Sequence, residues 1–92
     1  MNRSFKVGLA RLQQVGRDFL LTEVDLGTTL ANIALSSDDS VKARRNRKQA
    51  RTAYRALERH LGKVALTTAD AKLLKSKMRR LKSKLLQLGE RM

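Results

Sequence analysis

The sequence predicts an all-α fold, a small antiparallel bundle of three to four helices at about 5–20, 23–36, 41–61 and 68–88. Three observations carry that prediction. Apolar residues recur at alternating steps of three and four along most of the chain, the period of one face of an α-helix. The hydrophobic share of 41% comes mainly from Leu, Ala and Val, and the aromatics are limited to Phe5, Phe19 and Tyr54, which disfavours strands. Proline is absent, so glycines and capping residues mark the ends of segments. The 92 residues read as one helical domain, 1–92, with 1–20 as either a continuous or a loosely attached N-terminal helix. A chain of this size buries only about 60–65% of its unfolded surface, so its core must be modest.

The first segment places Phe5, Leu9, Leu12, Phe19, Leu26, Leu30 and Ile33 on one helical face, interrupted at Gly16 and Glu23. Thr22-Glu23-Val24-Asp25 resembles a capping box, with Leu21 and Leu26 placed as a hydrophobic staple. These residues predict a break between two helices, about 5–20 and 23–36, or else one bent helix. Ser36-Ser37-Asp38-Asp39-Ser40 is polar and without apolar period, so it reads as a loop whose last residues cap the next helix.

The helix over about 41–61 carries Ala43, Ala50, Ala53, Tyr54, Leu57 and Leu61 on one face and stops at Gly62, a favoured residue just past a helix end. Thr67-Thr68-Ala69-Asp70 gives a second capping-box start. The helix over about 68–88 then spaces Ala71, Leu74, Met78, Leu81, Leu85 and Leu88 as a near-heptad seam ending at Gly89. Short connections imply antiparallel neighbours.

Charge is the most informative functional feature. The chain carries 21 Lys and Arg against 8 Asp and Glu, a net +13, and the excess is uneven. Residues 1–35 hold four bases against three acids, whereas residues 36–92 hold 17 bases against five acids. A localised excess of that size favours a polyanion as partner, because it works against compaction and exceeds what solubility requires. Lys42, Arg44, Arg45, Arg47, Lys48, Arg51, Arg55 and Arg59 fall within the third predicted helix, most of them at i, i+3, i+4 spacing that forms a stripe. Lys75, Arg79 and Lys82, among other bases of the last helix, extend the candidate surface if the two helices pack side by side. The competing reading is a solvated helix face. Tyr54, the one aromatic among these cations, falls on the apolar side and no Trp is present, which favours contact with a phosphate backbone over base stacking.

Other residues yield bland readings. Asn46 lies on the buried side and is suited to capping or cross-linking helices; His60 suits the negative end of a helix dipole. Glu23 and Asp25 read as dipole complements. With no cysteine and a single histidine, the chain offers neither a thiolate nucleophile nor a metal-ligand set, so no cofactor, no metal and no enzymatic activity are expected. Cysteine-free composition suits a reducing compartment, and the expected location is cytoplasmic. Residues 1–17 hold four bases and no acid, a pattern shared by organellar transit peptides and ordinary N-terminal helices, of which the second is favoured.

Ala50-Arg51-Thr52-Ala53-Tyr54-Arg55-Ala56-Leu57, with Leu30-Ala31-Asn32-Ile33-Ala34 before it, resembles the small-residue packing of tetratricopeptide-type helical hairpins over residues 23–61. The family's Trp, Leu-Gly-Tyr and closing Pro positions are not matched. The resemblance implies that two helices approach closely and that a groove receives a peptide; it assigns no functional residue.

The sequence thus predicts a small basic helical module that binds a polyanion, nucleic-acid backbone before other anions, without catalysis. The alternative is a protein-interaction or self-assembling module, with a protein partner or a second copy of the chain and no nucleic-acid role. A membrane surface ranks below both, and no small-molecule substrate is evident.

Overall fold

The computed structural model describes the backbone of residues 3–92 and the side chains from residue 14 onward. Three helices form among the described residues: α1 (Arg3–Ser36), α2 (Ser40–Leu61) and α3 (Thr68–Gln87). The two helices predicted over 5–20 and 23–36 are one continuous helix. Nothing at Thr22 stops it, since no proline intervenes. The Asp25 carboxylate that would have closed a capping box instead accepts from Lys77 Nζ of α3 at 2.8 Å. Thr28 and Thr29 stay helical by donating their hydroxyls to the carbonyls of Val24 and Asp25, four residues back.

The buried seam of α1 is Leu20, Val24, Gly27, Ala31 and Ala34. It keeps the alternation of four and three that the sequence suggests but is displaced by one residue from the predicted face. Phe19 and Leu26, expected in the core, are 47% and 48% exposed. Close packing explains the shift. Both α2 and α3 pack against α1, and the line of closest approach selects small side chains over large ones. A β-carbon built on Gly27 would lie 3.2 Å from the Ala53 β-carbon of α2 and 2.8 Å from Leu81 Cδ2 of α3. The larger residues are thereby turned to the flanks. The side chains of Phe5, Leu9 and Leu12 lie outside the described residues.

α2 runs antiparallel to α1 and buries Asn46, Ala50, Ala53, Tyr54 and Leu57, essentially the predicted face. α3 runs antiparallel to α2 and parallel to α1, burying Leu74, Met78, Leu81 and Leu85. Leu20, Leu57, Leu74, Leu81 and Leu85 are at most 1% exposed, and full burial of such a side chain contributes about 1.5–3 kcal/mol each. Asn46 does not cross-link helices: its Nδ2 donates to the Lys42 carbonyl of its own helix at 2.8 Å.

The ends follow the capping chemistry. Asp39 Oδ1 accepts from the amides of Val41 and Lys42, and Thr67 Oγ1 accepts from the Asp70 amide at 3.1 Å. Gly62 ends α2 in right-handed backbone, φ −78°. Gly89 ends α3 differently, with φ +93°, which a side chain tolerates poorly. There the Glu90 amide donates to Leu85 O and the Gly89 amide to Leu86 O, the paired bonds of a Schellman turn.

Candidate polyanion-binding face

α2 and α3 both lean on α1 and make few contacts with each other, so an open groove runs between them. Its floor is Tyr54, Leu61 and Met78; Lys72, Lys75, Arg79 and Lys82 of α3 form one wall around a cavity of about 560 Å³. These four cations arise from sequence spacing alone. At 100° per residue, positions 72, 75, 79 and 82 fall on the flank of α3 that faces α2, beside the buried Met78. None of them pairs with a carboxylate among the described residues.

α2 contributes only Tyr54 and Leu61 to this cavity; its own cations lie along the helix beside it. The same angular step puts Arg47 and Arg51 on the flank turned toward α3, with Arg44 beside them and Arg55, Lys48 and Arg59 on the side away from the buried face. Arg44, Arg47, Lys48 and Arg51 line a cavity of about 450 Å³ together with Glu90. The predicted stripe is therefore spread around the outer side of α2, from Arg47 to Arg59, with two residues apart from it. Lys42 and Arg45 project from the other flank, and Arg45 shares with Lys48 a separate groove against α1, lined by Leu26 and Leu30. Glu58 is the one acid within the α2 stripe.

Glu90 is the group that sequence reasoning missed. The Schellman turn at Gly89 folds it back onto α2, where it is buried at 8% exposure. Arg47 Nε donates to its Oε2 at 2.6 Å and Arg51 Nη1 to its Oε1 at 2.9 Å. Burial raises the energy of its charged form, but the hydrogen bonds and charges of Arg47 and Arg51 outweigh this and hold the carboxyl below the ordinary glutamate range. The available signal was its position: Glu90 directly follows a helix-ending glycine and is the only acid after Asp70.

Tyr54 stays neutral over a wider pH range than a free phenol, first because it is desolvated and second because Glu58 lies near. His60 sits edge-on to Phe19, with ring centroids 6.1 Å apart, a packing contact. Among the described residues no helix is long and apolar enough to cross a membrane. Compared with protein-family models, curated protein sequences and solved structures, the chain matches none.

Proposed function

We propose that this chain is a non-catalytic module that binds a polyanion, foremost nucleic-acid backbone, along the α2–α3 groove. The observation that supports it most is the wall of Lys72, Lys75, Arg79 and Lys82, four cations with no carboxylate partner among the described residues, set over Tyr54 and Leu61 of α2. From Lys72 to Lys82 the helix rises about 15 Å, a length over which one DNA strand presents about four phosphates. Contacts of this kind fix a backbone without reading its bases.

The test is binding of a fluorescently labelled 20-base-pair duplex, followed by anisotropy. Arg47 and Arg51 are poor choices for charge reversal, because it would break their pairs with Glu90. Lys75→Glu with Arg79→Glu is expected to weaken binding more than about tenfold, whereas Lys42→Glu with Arg45→Glu, the same charge change on the far flank, weakens it by about threefold or less. Equal losses would remove the groove from the account.

A second reading, a protein-interaction or self-assembling module, draws on Phe19 and Leu26, which leave apolar surface on α1. Light scattering across concentration and salt separates the two. A dimer insensitive to salt supports association through α1, and a monomer that carries nucleic acid supports the groove.

A further inference from the structure

We propose that Arg47 and Arg51 form a phosphate-binding site that the chain's own Glu90 carboxylate occupies as an internal competitor. The inference rests on the polyanion reading for its nucleic-acid arm and on geometry for the site itself. An arginine fork donates to carboxylate and phosphate oxygens with similar directionality, so a carboxylate bound this way marks where a phosphate fits. Each Glu90 oxygen already has a different arginine, Oε2 with Arg47 and Oε1 with Arg51, as two oxygens of one phosphate would.

Charge balance leaves the site unsatisfied. Arg44, Arg47, Lys48 and Arg51 surround one cavity, and Glu90 is the only anion lining it. Four cations around a single carboxylate retain a net charge of about +3, which attracts a further or a more highly charged anion. Access is also present, since the Arg47 and Arg51 side chains are 38% and 37% exposed although Glu90 itself is buried.

Release is local. The backbone of Glu90 is fastened by the hydrogen bond its amide donates to Leu85 O and by the left-handed turn at Gly89, so only its side chain must rotate away. An incoming phosphate therefore exchanges with one carboxylate without unfolding the end of α3. Competition of this kind lowers affinity for any anion by the fraction of molecules in which the site is closed.

Glu90→Gln tests this directly, because it keeps the shape and removes the charge. Asp18→Asn, which removes one negative charge from α1 elsewhere, is the control, and circular dichroism verifies folding of each variant. The labelled duplex is expected to bind Glu90→Gln about three- to tenfold more tightly than wild type, with a salt slope steeper by about 0.9 for each arginine freed. Asp18→Asn should match wild type. Equal or weaker binding by Glu90→Gln, or an equal gain in Asp18→Asn, overturns the proposal.

The second arm uses inorganic pyrophosphate and the side-chain Nε–H signals of Arg47 and Arg51 in NMR spectra. These signals are expected to move at several-fold lower pyrophosphate in Glu90→Gln than in wild type. If no variant binds the duplex, the nucleic-acid reading fails while this arm still decides the site: movement assigns it to free phosphate compounds, and unmoved signals refute it.

Discussion

Gly27 of α1 lies directly against Ala53 of α2, so close that a β-carbon on the glycine would stand 3.2 Å from the Ala53 β-carbon. On the other side Leu81, fully buried, would meet it at 2.8 Å. Glycine here is the spacer that allows three helices to meet.

Gly27→Ala is accordingly expected to destabilise the protein, although alanine is the better helix former. The gain in helix propensity is about 1 kcal/mol, whereas overpacking a closed core costs about 1–3 kcal/mol. Gly62→Ala supplies the contrast, since nothing lies within 4 Å of the added carbon and the backbone is right-handed. It should stabilise by a few tenths to about 1 kcal/mol through the unfolded state. Urea denaturation of both variants checks the opposite signs; a stabilised Gly27→Ala would mean that the helices are less tightly packed than described.

The pair of arginines on Glu90 makes stability depend on pH in a definite direction. Its carboxyl is held below the ordinary glutamate range in the folded protein, so the unfolded chain takes up the proton first as pH falls. The stabilising contribution is fully present above the ordinary glutamate range and is lost as pH falls through the depressed folded value. Glu90→Gln should therefore be less stable than wild type at neutral pH by about 1.5–3 kcal/mol, the scale of charge-assisted hydrogen bonds, and the gap should close in acid. Thermal melts of both proteins at neutral and acid pH measure it. A gap that is constant, or that widens in acid, contradicts the assignment.

Much of this architecture was legible in the residues, and the failures have physical causes. Asp39, Thr67 and Gly89 announced their helix ends because capping and a left-handed turn are local chemistry. The core faces of α2 and α3 were legible because large apolar residues mark them. The seam of α1 was misread by one residue because hydrophobic size points to Phe19 and Leu26, while the closest helix contacts demand Gly27, Ala31 and Ala34. The false start at Thr22 had the right residue types, but Asp25 finds its partner 52 positions away in Lys77. At the candidate site, spacing placed cations along both helices. It did not give Glu90, whose pairing with Arg47 spans 43 residues and depends on how α3 ends.

Equilibrium binding of the wild-type chain to a labelled 20-base-pair duplex over a range of salt concentrations decides whether the cations of α2 and α3 act together on one anionic backbone. Simultaneous contact with four to six phosphates predicts a slope of log K against log salt of about −4 to −5. A slope near zero, or no binding at about 50 mM salt where such contacts are strong, would contradict it.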